Sequence, residues 1–121
     1  MNIEELREYC ISKMGVTEEL PFDENTLVFK VMGKMFLLID IEKANSINIK
    51  CDPLKAIELR ERYPEVLPGW HMNKRHWNTI FLDGSLPEDL IFTWIDDSYD
   101  LVVAGLPVRL QKKLKQGEQK S

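Results

Sequence analysis

Apolar residues recur every three or four positions at Ile3, Leu6, Cys10 and Met14, the spacing that lines one side of an α-helix. Asn2 followed three residues later by Glu5 has the pattern of a capping box, and Gly15 suits the position just past a helix end. This predicts a helix over 3–14. Residues 17–25, interrupted by Pro21, show no periodicity and predict a loop. The period then changes to two. Strands are expected at 26–32 and 35–40 around Gly33-Lys34, a two-residue loop whose leading glycine suits a type II′ hairpin, and at 46–51, where Ile47 and Ile49 alternate with polar neighbours.

Asp52-Pro53 places an N-cap before a proline at the first helical position, and the helix it opens stops near Tyr63-Pro64. After the Pro68-Gly69 turn, 70–72 and 77–82 predict two more strands joined through 73–76, so the basic residues there occupy a hairpin tip. Ser85 and Glu88 repeat the capping-box spacing, and Leu90, Ile91, Trp94, Ile95, Leu101 and Val102 form a broad apolar stripe. Gly105 and Pro107 interrupt that helix and permit a last short one through Leu110 and Leu114. The expected fold is α+β, with about five antiparallel strands in the order α-β-β-β-α-β-β-α-α covered by the N- and C-terminal helices.

With 121 residues, 44% hydrophobic and 30% charged, the chain has the size and apolar content of one folded domain. We assign that domain to 1–115 and a polar, frayed tail to 116–121. No apolar run approaches the roughly 18 residues needed to cross a bilayer, so no membrane association is expected. Glu4, Glu5 and Glu8 stand where an export signal needs positive charge, which predicts a cytoplasmic protein. Two cysteines, Cys10 and Cys51, provide neither a disulfide framework nor zinc-site spacing.

The net charge of −4 hides a segregated pattern: 83–108 holds six acids and no base, whereas 109–121 holds five bases and one acid. An acidic balance opposes nonspecific binding to phosphate backbones, so any nucleic-acid contact must be local. The segment 69–82 is the place for it, since Lys74, Arg75, His71 and His76 are interleaved there with Trp70 and Trp77. Lysine and arginine anchor phosphates while indole rings stack on bases. Against this, large aromatics in a small sheet usually pack into the core. Lys34 on the first hairpin extends the patch if the fold brings it to the same side, and the basic tail is a second phosphate contact or a solubilising end.

Phosphate-loop, GxGxxG, HExxH and GxSxG patterns are all absent, and no catalytic residues, cofactor or metal site are assigned. His71 and His76 sit an odd number of residues apart and face opposite ways on a continuous strand. Asp96, Asp97 and Asp100 form the densest acid cluster, which fits a solvated helix face better than an acid–base pair. A pairing of Asp97 or Asp100 with Lys74 or Arg75 would neutralise the basic hairpin.

The strings Trp70-His71-Met72-Asn73-Lys74-Arg75-His76-Trp77-Asn78 and 98–107, SYDLVVAGLP, resemble the MmcQ/YjbR family of small bacterial proteins, and the resemblance extends over nearly the whole chain. It implies an α+β fold of frataxin-like shape and DNA binding through an exposed basic hairpin, at Lys34, Asn73, Lys74, Arg75 and His76. Frataxin-like shape also raises iron binding by analogy, through Glu4, Glu5, Glu8, Glu18 and Glu19, which read more economically as a soluble helix surface.

Three function classes follow. The first is a non-enzymatic module that binds DNA with Lys74 and Arg75 on phosphates, Asn73 as a hydrogen-bonding neighbour, Lys34 and His76 beside them and Trp77 stacking. The second uses the same hairpin and sheet face for a protein partner or a small anion, and is marked by an exposed apolar patch near Trp70 or Trp77 or by a pocket beside the hairpin. The third is an enzyme using His71 or His76 with an acid from 96–100.

Overall fold

The computed structural model describes residues 2–120, which form four helices and six strands. In chain order these are α1 (Ile3–Ile11), β1 (Val16–Glu19), β2 (Thr26–Val31), β3 (Lys34–Asp40), β4 (Ser46–Lys50), α2 (Pro53–Arg62), β5 (Val66–Pro68), β6 (Trp77–Phe81), α3 (Glu88–Ala104) and α4 (Val108–Lys120). The α+β class is as expected, with one strand more than predicted. All strands pair antiparallel in the order β1-β2-β3-β4-β6-β5.

The additional strand is β1, within a stretch whose sequence reads as a loop. Its own residues, Val-Thr-Glu-Glu, bury little, and long-range partners hold it. Arg7 on α1 donates through Nε to Glu18 at 2.6 Å, and Lys30 on β2 pairs with Glu19 at 2.7 Å. α1 also ends earlier than periodicity suggests, at Ile11, and Gly15 instead takes a left-handed turn (φ 75°) into β1.

Two turn assignments change. Val31 pairs with Lys34, so the first hairpin loop is Met32-Gly33, with positive φ at both residues (49° and 85°). That is type I′ geometry rather than type II′. The expected strand at 70–72 does not form; β5 runs earlier, Val66–Pro68, and 69–76 is a loop. Gly69 explains the exit, because a Cβ there would lie 2.7 Å from the Trp77 Cβ and 2.9 Å from its carbonyl oxygen. Only glycine permits that approach. Pro68, without an N–H, is tolerated because β5 is an edge strand.

The Ser85/Glu88 capping box is also absent. α3 is capped at Pro87 with no side-chain hydrogen bond, and the Ser85 hydroxyl goes to Glu65 at 2.6 Å. α4 is longer than the short helix expected, and Ser121 lies outside the described residues.

All four helices contribute to a single core on one face of the sheet: Leu6 and Cys10 from α1, Ala56 and Leu59 from α2, Ile91, Trp94 and Ile95 from α3, and Leu114 from α4 pack with Phe29, Leu37, Ile47, Ile49 and Ile80. Buried Ser98 on α3 repairs the sheet where it is irregular. β2 and β3 shift register between Phe29 and Lys30, and the Ser98 hydroxyl donates to the Phe36 carbonyl at 2.6 Å while accepting from the Lys50 N–H at 2.9 Å. The second cluster, Val28, Leu38 and Trp77 with Met35 and Met72, contains strand and loop residues only. The sheet therefore keeps one face free of helices.

Candidate functional site

Strand alternation decides what the free face carries. Ile47 and Ile49 point into the helix-covered core, so Ser46 and Asn48 point away; on β6, Asn78 and Ile80 point in, so Trp77, Thr79 and Phe81 point away. The register then aligns Val28, Leu38, Asn48, Thr79 and Leu67 in one row across five strands. Leu38, Asn48, Thr79 and Leu67 of this row form the floor of an open cleft of about 900 Å³, walled by the 69–76 loop on one side and by the segments around Phe22 and Lys43 on the other.

The loop is held at several points. Trp70 N–H donates to the Thr79 hydroxyl at 2.9 Å, and Asn73 accepts with its side chain from Arg75 N–H at 2.9 Å and with its carbonyl from Trp77 N–H at 3.0 Å. From α2, the Arg60 guanidinium donates to the Lys74 carbonyl and, at 2.7 Å, to Asn78 Oδ1. Asn78 is fully buried and passes its own amide N–H to the Ala56 carbonyl at 3.3 Å. Arg60 and Asn78 thus join helix, strand and loop. His71 adopts left-handed backbone (φ 61°) and stacks on Trp70 with ring centroids 4.7 Å apart.

The expected site residues do not stay together. Trp77 is only 7% exposed and belongs to the sheet-face core, whereas Trp70, 59% exposed, stands at the cleft wall. Lys74 lines the cleft, with its ammonium 3.3 Å from the Gly69 carbonyl, while Asn73 shapes the turn and Arg75 is exposed beside it. His76 is half-buried, its carbonyl accepting from Cys51 N–H at 2.7 Å. Lys34 sits at the end of the sheet from which the loop departs, outside the cleft.

The acids of 96–100 lie on α3, on the helix side of the sheet and away from both histidines. Asp96 accepts from the Tyr9 hydroxyl at 2.6 Å and pairs with Lys13. Among the described residues, neither Lys74 nor Arg75 has a carboxylate within salt-bridge distance, so the alternative of a pairing with Asp97 or Asp100 does not form. Burial of Asp97, and then the neighbouring Asp100 charge, raises its carboxyl above the ordinary range. Glu18, of the proposed acidic surface, is instead tied to Arg7, whose direct hydrogen bond holds its carboxyl below the usual carboxylate range.

Sequence reasoning missed Asn48, Thr79, Lys43, Phe22 and Phe81, all of which line the cleft. The polar alternation in β4 was a signal that one sheet face is wet. That this face is walled into a cleft follows from loop positions no local pattern records. Among the described residues, no group of three His, Cys, Asp or Glu side chains is arranged to hold a metal ion, and no helix is long and apolar enough to cross a membrane.

The family model YjbR matches residues 11–101, from the end of α1 into α3. The chain belongs to the YjbR family. This YjbR-family chain is 36% identical over 117 residues to the Escherichia coli K12 protein YjbR, covering 96% of this chain and 99% of that one. It is 40% identical over 98 residues to YbdF of Escherichia coli O157:H7, covering 80% of each chain. Its fold is similar to the crystal structure of the Deinococcus radiodurans protein DR2400, with a TM-score of 0.87, 37% identity and coverage of 94% of this chain and 88% of that one. A Pseudomonas syringae crystal structure matches with a TM-score of 0.71 at 29% identity, over 84% of this chain and 98% of that one.

Proposed function

We propose that this YjbR-family protein is a non-enzymatic binding module that holds a small ligand in the cleft on the free sheet face. The observation that carries this reading is the cleft itself: about 900 Å³ against the 69–76 loop, with exposed aromatic rings at its wall and amide, hydroxyl and ammonium groups around its floor. That volume and mixture are typical of small-molecule sites. Cytoplasmic residence belongs to the same reading, supported by two buried, unpaired thiols, Cys10 and Cys51.

A second reading, DNA binding by the loop, draws on Lys74 and Arg75, which present charge without carboxylate partners. One titration separates the two. Labelled single- and double-stranded DNA is titrated with the protein from about 25 to 200 mM salt, alongside the Lys74→Ala/Arg75→Ala variant. The cleft reading expects no binding tighter than about 100 μM at the highest salt, in the weak range of nonspecific contacts. Micromolar binding that falls with salt and disappears in the variant would replace it with the DNA reading.

A further inference from the structure

The hydrogen bonds beneath the cleft have a polarity that selects what the ligand must present. Trp70 N–H donates to the Thr79 oxygen, so the buried Thr79 hydroxyl has one proton to place, and it donates to Asn48 Oδ1. That bond occupies the Asn48 amide oxygen. Asn48 Nδ2 then remains as a donor at the cleft floor, with no partner among the described residues. A ligand seated there must offer an acceptor.

Two lysines and two aspartates line the cleft. The Lys43 ammonium stands 5.4 Å over the Trp70 ring, and the Lys74 ammonium is beside the same loop, 3.3 Å from the Gly69 carbonyl. Neither has a carboxylate partner among the described residues. The two acids that line the cleft are engaged by their own turns: Asp23 accepts from Asn25 and Thr26 N–H groups at 2.8 and 2.7 Å, and Asp40 from Lys43 N–H at 3.2 Å. They are separated from Lys74, in the row where Thr26 pairs with Asp40 at the other end of the strands, while Lys43 follows Asp40 in the same turn and reaches back over Trp70. The exposed Trp70, Phe22 and Phe81 add flat apolar area that no helix covers.

We propose that the cleft binds a planar aromatic anion, its ring against Trp70, its anionic group at Lys43 and Lys74 and an acceptor atom on Asn48 Nδ2. This rests on the small-ligand reading above and adds the chemical class. A carboxylate or a phosphate can supply the anion, and the ring gains apolar contact at the Trp70 wall while its anion gains the cations.

The test uses the full chain, with affinity read by calorimetry and location by amide shifts in two-dimensional NMR. The probes are indole-3-acetate and AMP as aromatic anions, tryptophol and adenosine as their neutral counterparts, and acetate and inorganic phosphate as anions without a ring. At least one aromatic anion should bind about ten-fold more tightly than its neutral counterpart and its ring-free anion, shifting the amides of Trp70, Asn48 and Thr79. Which one does so identifies the anionic group. Lys43→Gln/Lys74→Gln should abolish the preference over the neutral counterpart while leaving that counterpart's own affinity within about two-fold. Asn48→Asp, which keeps the Thr79 bond but replaces the donor by an acceptor, should weaken the anion by about ten-fold or more. Trp70→Ala, a change at an exposed position, should weaken every aromatic probe. Equal binding of charged and neutral rings, or of ring-free anions, overturns the ligand class and leaves the small-ligand reading standing. Silence of the cleft amides toward all six probes overturns both.

Discussion

Arg60 shows how one side chain can matter to a site it does not line. Its guanidinium reaches Lys74 and Asn78, and at 3.4 Å Trp77, so it ties the base of the 69–76 loop to α2. Removing the fork leaves the buried Asn78 oxygen without its donor. We expect Arg60→Met to cost about 1–3 kcal/mol in urea unfolding, the range for a buried polar group left unsatisfied, and to speed hydrogen exchange of the 69–77 amides. Arg60→Lys keeps a charge but not the planar fork and should lie between. Loop exchange unchanged in Arg60→Met would show that the clamp is not needed. The thiols illustrate the opposite role, as inert core groups. Burial pushes Cys10 up to about 12 and Cys51 to about 11, so neither is a nucleophile at neutral pH.

At the scale of elements, β5, the loop and β6 form one hairpin whose shape depends on Gly69. No left-handed backbone is required there; the constraint is space, because the Gly69 N–H donates to the Trp77 carbonyl at 2.8 Å. Gly69→Ala must push the strands apart, and overpacking of this kind costs about 1–3 kcal/mol. The expected outcome is a lower Tm together with weaker binding of any cleft ligand. A variant that loses stability but binds normally would mean that the loop tolerates displacement. β1 is the complementary case, an edge strand with little burial of its own, held by Arg7–Glu18 and Lys30–Glu19 pairs across element boundaries.

For the whole molecule, the sheet separates two environments. The helix side carries the dry core; the free side carries the cleft, with Lys43 and Lys74 and also Asp23 and Asp40 in its lining. The core also imposes an alkaline limit on stability. Cys10, ordinarily near 9.0, stays protonated in the folded state up to about 12, mainly through burial, and Cys51 to about 11 for the same reason. Below pH 9 both states keep their thiol protons and nothing is lost. As pH rises from 9 towards 12 the unfolded chain ionises first, so folding stability falls across that window. The Tyr9 hydroxyl, raised from 10.0 to about 12 by burial and by its bond to Asp96, adds to the same decline. Urea midpoints measured between about pH 8 and 10.5 should therefore drop, and should drop less steeply in Cys10→Ala/Cys51→Ala; equal slopes in the two proteins would remove the thiols as the cause.

Local pattern was sufficient for most elements. The period-3.6 stripe of α3, the Asp52-Pro53 start of α2, and the alternation of Ile47 and Ile49 each reflect a side chain's immediate need for burial or capping, and each element stands where that need puts it. Turn details were less legible, because Met32-Gly33 takes its type I′ form from the pairing of Val31 with Lys34, and Ser85 is engaged by Asp83 in its own turn and by Glu65, a residue twenty positions away. The candidate site was half legible. Trp70, Lys74 and Arg75 stand out as a basic, aromatic segment, but Trp70 and Trp77 are equivalent on paper, and only the route of the loop makes one a wall and the other core. Asn48, Thr79 and Lys43 are ordinary residues of separate elements until antiparallel pairing and the helix-free face bring them to one cleft. Periodicity reports which side of each element is dry; long-range pairing determines which wet sides meet.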